Sequence, residues 1–140
     1  MPRALRSGLR LYVDEVGNDD LTHVVDDKHR YLSLTGVAMH QGHVNLVATP
    51  RLNALKATVF QHDPDDPPIV FHRSEIVNKS GPFGVLADPG LCKKFDDELL
   101  VCLTDIDYTV ITAVIDKKAM VAKSYWRQNH PYHYLMEILG

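Results

Sequence analysis

From Leu9 to Val13 apolar residues alternate with polar ones: Leu9, Leu11 and Val13 against Arg10 and Tyr12. Period two marks a strand with one buried face. This strand runs directly into an acidic pair, Asp14-Glu15, and then into Gly17-Asn18-Asp19-Asp20, residues that turn the chain. The feature implies an α/β domain whose first strand delivers carboxylates, because ligand crevices in such folds lie beyond strand ends. Neighbouring residues on a strand point to opposite faces. Asp14 and Glu15 can therefore share a pocket only if the strand has ended by Glu15. A solvated strand-to-turn junction accounts for the same residues.

Tyr31 to Met39 reads as a second strand, joined to the first by a long polar link through Asp26-Asp27-Lys28. His43 to Val47 is read as a short third strand. Thr49-Pro50 starts a helix that runs to about Gln61, with Leu52, Leu55 and Val59 at helical spacing. Ile69-Val70-Phe71 reads as a buried strand, and His72 to Gly81 as irregular. Asp88-Pro89 repeats the helix-start signal, and Leu91, Phe95, Leu99, Cys102 and Leu103 form the apolar face that follows. Tyr108 to Ile115 is the most β-prone segment, apolar enough to be covered on both faces. It is expected beside Leu9 to Val13, with Tyr31 to Met39 antiparallel on that strand's other side. Pro131 opens a last helix with Tyr134, Leu135, Ile138 and Leu139 as its stripe.

A chain of 140 residues with 45% hydrophobic side chains suits one domain with a real core. The net charge of -3 excludes a global basic field that would hold nucleic acid without a local patch. Cys92 and Cys102 fall on one predicted helix, about 15 Å apart by helix rise, far beyond disulfide reach. Two unpaired thiols fit a reducing cytoplasm. No apolar run is long enough to cross a membrane, and Met1 to Arg10 has no apolar h-region. GxxxxGK[ST], GxGxxG and GxSxG are all absent.

His72-Arg73-Ser74-Glu75 follows the predicted Ile69–Phe71 strand. His72 and Glu75, three apart, are suited to acid–base work or metal ligation, but the signal is weak and a polar loop accounts for the same residues. Asp116 ends the Tyr108–Ile115 strand and is a third carboxylate for Asp14 if the two strands are neighbours. Lys117 and Lys118 beside it read as well as a surface turn. His130 and His133 have no nearby Cys and no HExxH pattern, and are read as capping and surface residues.

Leu11-Tyr12-Val13-Asp14-Glu15-Val16-Gly17-Asn18 resembles the Y-[IV]-D-E-[SA]-G opening of the DUF3800 family, domains with a ribonuclease H-like fold. Leu32 to Ala38 is similar to that family's second strand. Phe71-His72-Arg73-Ser74-Glu75-Ile76 is similar to its H-x-[ST]-E-[IL] element. Val110 to Lys117 resembles its I-x-A-V-[IV]-D-K strand, and Tyr132 to Leu139 the start of a long helix. The motifs occur in family order over nearly the whole chain. One departure is Val16, which stands where the family has a small residue and is expected to crowd the turn. The other is that the family continues past the last helix.

The resemblance implies a single ribonuclease H-like domain with a mixed sheet and flanking helices, incomplete at its C-terminus. It implies a divalent-metal-dependent nuclease hydrolysing the phosphodiesters of nucleic acid. Asp14, Glu15, Glu75 and His72 are its expected catalytic residues, and Asp14, Glu75 and Asp116 its expected metal ligands. Hard oxygen donors imply Mg2+ or Mn2+ rather than zinc. The alternatives are a non-catalytic binding domain with a degenerate site, and a hydrolase of small phosphate esters. An open sheet edge and an uncovered apolar helix stripe would draw a second copy, so a homodimer is expected.

Overall fold

The computed structural model describes residues 8–123 and 130–139. The basic start of the chain, residues 1–7, lies outside the described residues. The chain forms two compact units, one of Met1–His40 with Tyr108–Gly140, the other of Gln41–Asp107.

The first unit is built on three strands: β1 (Leu9–Val16), β2 (Tyr31–His40) and β3 (Thr109–Asp116). They pair in the order β1-β2-β3, antiparallel throughout. β2 is therefore the central strand. The expectation that β1 lies between the other two is overturned. The reason lies in the faces. β3 was read as covered on both sides, yet Val110 and Val114 on one face are exposed. An antiparallel sheet can leave one face to water, so a continuous apolar run does not require a central position.

Register decides which side chains share a face. Val13 pairs with Gly36 and Glu15 with Leu34, while Leu32 and Leu34 pair with Ile115 and Ala113. These residues meet α7 (Pro131–Leu139), whose Leu135 is fully buried against Leu32, Leu34 and Ile115. Burial of each of these aliphatic side chains contributes about 1.5–3 kcal/mol. The opposite face carries Tyr12, Asp14 and Val16 of β1, Thr35 of β2, and Thr112 and Val114 of β3. A hydroxyl pair, Thr35 with Thr112 at 3.0 Å, sits in its middle.

Between β1 and β2 the link contains one helical turn, α1 (Asp27–Arg30), capped by the Asp26 side chain, which accepts from the Lys28 amide. After β3 comes α6 (Lys117–Val121), capped in turn by Asp116.

The second unit is helical. α2 (Gln41–His43) passes through a π-helical stretch, Val44–Ala48, into α3 (Thr49–Phe60). The strand expected at His43 to Val47 is thus helix. Val44 and, just past the segment, Ala48 are buried at a spacing of four while Leu46 is exposed, a helical period that five residues alone could not separate from a strand. Thr49 consequently lies inside a continuous helix rather than capping one. α4 (Arg73–Asn78) occupies part of the segment read as irregular. Ile69 to Phe71 forms neither strand nor helix, and the His72 amide donates back to the Val70 carbonyl at 3.0 Å in a tight turn, although Ile69 is buried. A 3-10 turn (Gly81–Ala87) leads to α5 (Pro89–Asp105). There Asp88 accepts from the Gly90 and Leu91 amides, the cap read from the sequence. The unit's centre is aromatic. Phe60, Phe71, Phe83 and Phe95 pack edge to face or tilted, with ring centroids 5.4 to 6.3 Å apart. Cys92 and Cys102 both lie on α5 and are free thiols.

Candidate functional site

β1 does not stop at Asp14. Its ladder to β2 continues through Asp14↔Thr35, Glu15↔Leu34 and Val16↔Ser33. The acidic pair is therefore inside the strand, and its two side chains leave on opposite faces. Asp14 lines a shallow hollow with Tyr12, Val16, Thr35 and Val37 on the open face. Glu15 lines a different one, on the face covered by α7.

That second hollow, about 380 Å³, is bounded by Glu15, Gly17, Asn18, Asp19, Leu32, His130 and Tyr132. Gly17 makes it by turning sharply out of β1 at φ 103°. A Cβ there would stand 2.4 Å from the Tyr31 carbonyl oxygen, so only glycine fits. Val16 is exposed and does not crowd this turn. Asp19 then projects into the hollow and pairs with His130 from the start of α7, carboxylate oxygen to Nε2 at 2.5 Å. The His133 ring lies against that of His130, centroids 5.0 Å apart. His130 was read as a capping and surface residue; only the fold brings it to Asp19.

The loop is fixed from below by Lys117, which is fully buried. Its Nζ donates to the Asn18 carbonyl at 2.7 Å, to Asn18 Oδ1 at 3.0 Å and to the Asp20 carbonyl at 2.7 Å. Three acceptors meet the three protons of an ammonium. Burial pushes its pKa down, while the charges of Asp20 and Asp19 pull it back. The surface turn suggested by Lys117-Lys118 is wrong for Lys117: the residue follows Ile115 on the covered face and is carried inward. Asn18 also reaches His29 Nδ1 at 2.8 Å. Asp20 is held well below the usual carboxylate range by hydrogen bonds from the Thr22 hydroxyl and then His23.

Asp116 is engaged elsewhere. Arg30 grips it with two parallel bonds, Nε to Oδ1 at 3.0 Å and Nη2 to Oδ2 at 2.8 Å. These bonds depress its pKa from 3.8 to about 2. His72 and Glu75 belong to the second unit, His72 just before α4 and Glu75 in its first turn, half-buried. Among the described residues no three of His, Cys, Asp and Glu form a metal-binding group. No helix among them is long and apolar enough to cross a membrane.

No family model, no curated protein and no solved structure matches the chain.

Proposed function

We propose that the chain is a nuclease-like domain of ribonuclease H type that hydrolyses phosphodiesters with the help of a divalent cation, its chemistry centred on the hollow beyond Gly17. The observation that supports this most is the convergence of Glu15 and the Asp19–His130 pair on one cleft floored by Leu32 and Tyr132. The order of short motifs shared with the DUF3800 family supports it independently.

Glu15 and Asp19 suit Mg2+ or Mn2+, which are held by one or two carboxylates and otherwise by water and phosphate oxygens. A bound cation would neutralise the phosphodiester and lower the pKa of its water. An acidic hollow in a chain of net charge -3 repels phosphate, so an accompanying cation is what makes the substrate class acceptable. His130, paired with Asp19, is a candidate to take or return a proton. The resemblance adds Asp14, His72 and Glu75 as further candidates, each testable singly.

The test is cleavage of single- and double-stranded nucleic acid and of a small phosphodiester by the purified chain, with Mg2+, with Mn2+ and with chelator. Metal-dependent cleavage is expected. Glu15→Gln and His130→Ala should each reduce it about 100-fold or more while the circular dichroism is unchanged. Loss with Asp14→Asn but not with Glu15→Gln would move the centre to the other face of the sheet. No cleavage with either metal would overturn the reading.

A further inference from the structure

β1 is an edge strand. Its eight residues pair with β2 without a skipped position, and among the described residues nothing pairs with its other side. Proteins commonly blunt such edges with proline, a bulge or lysine. β1 has none of these. Leu9, Leu11, Tyr12 and Val16 along it are all exposed.

The order of residues on β1 is self-complementary. We propose that β1 pairs antiparallel with β1 of a second copy of this chain, Tyr12 opposite Tyr12, across a two-fold axis normal to the sheet. In this register Arg10 of each copy faces Asp14 of the other, on the face that also carries Tyr12. Leu11 faces Val13 on the opposite face. Residues directly opposite in an antiparallel pair share a face with Cβ atoms about 4.5–5.5 Å apart, close enough for opposite charges and apolar pairs to attract. A slip of one residue turns every side chain to the wrong face. A slip of two residues in either direction puts Asp14 opposite Gly8 or Tyr12, and Arg10 opposite Tyr12 or Val16, which loses both charge pairs. The axis makes the contact isologous, so one good pair occurs twice.

The outer edge of β3 lacks this pattern. Its one charged residue, Asp116, is at its end and already gripped by Arg30. The charge complementarity therefore selects β1, and the two three-stranded sheets join into one of six strands.

The test is sedimentation equilibrium of the full chain with Arg10→Asp, with Asp14→Arg, and with both. The unaltered chain should dimerise. Each single change should raise the dimer Kd about tenfold or more, because two attractive pairs become two repulsive ones. The double change should restore the dimer, and mixing the two single variants should give a heterodimer. Restoration also shows that neither change acts by unfolding the strand. Tyr12→Cys should cross-link to itself on mild oxidation, since position 12 meets its own copy at the axis. A monomer at all concentrations would overturn the proposal. So would a dimer indifferent to the single changes, or one not restored by the double change.

Discussion

The Lys117 ammonium and the Asn18 carbonyl oxygen meet at 2.7 Å, tying the end of β3 to the loop that leaves β1. A fully buried cation thus holds in place the chain segment that carries Asp19 into the hollow. Removing such an anchor takes the shared donor from two part-buried carbonyl oxygens.

Lys117→Met is accordingly expected to destabilise the first unit by about 2–4 kcal/mol, the cost of three lost charge-assisted hydrogen bonds less the gain of an apolar side chain. Urea unfolding monitored by circular dichroism measures it. A change near zero would mean that the loop holds itself.

Gly17→Ala should cost about 1–3 kcal/mol, because φ is positive and the new methyl would strike the Tyr31 carbonyl. The same urea unfolding serves as the check, with Gly42→Ala as a control in open space. Equal effects at the two positions would contradict the account of the turn.

The Arg30–Asp116 pair predicts an acid-sensitive step. A carboxyl whose folded pKa is depressed adds stability above its unfolded value, and that contribution fades as pH falls from 3.8 through about 2. Asp20, lowered in the same direction, acts in the same acid range. Asp116→Asn should flatten the fall in thermal midpoint below pH 4 and leave a protein less stable than the parent at neutral pH. An unchanged acid profile would show that the pair carries no linkage.

Phe83→Ala removes a fully buried ring from among Phe60, Phe71 and Phe95, and should destabilise the second unit by about 3–5 kcal/mol. Hydrogen exchange reads this unit by unit. The expected result is faster exchange on α3 and α5 and little change on β1 to β3. Uniform loss of protection throughout would show the two units unfolding as one.

Much of the framework is legible in the sequence. Alternation marks β1 and β2, Asp88-Pro89 marks the start of α5, and Pro131 the start of α7, because these signals are local and chemical. The strand order is not legible that way. An apolar run such as Val110 to Ile115 fits a central or an edge strand equally, and only pairing decides. The strand expected at His43 to Val47 failed because the segment is too short for its period to be read. The acidic pair was legible as a pair, but not its geometry, which turns on whether β1 ends at Asp14 or Val16. The place of His130 in the hollow was not legible, since its partner Asp19 lies far away in the chain and neither residue sits in a recognisable motif. Lys117 was misread because lysine is rarely buried, and nothing nearby in sequence announces its acceptors.

Ala38 pairs directly with Thr109, so the whole of the second unit is inserted between two neighbouring strands of one hairpin. The hairpin's two arms cannot zip from a tight turn, as they do where a loop is short. They must find each other across the insert, and the entropy of closing that loop falls on the sheet. An insert already collapsed around its phenylalanines is a shorter tether than an open chain. The β2–β3 pairing is therefore expected to follow collapse of the insert, while β1, whose contact with β2 spans only the α1 link, is free to dock early.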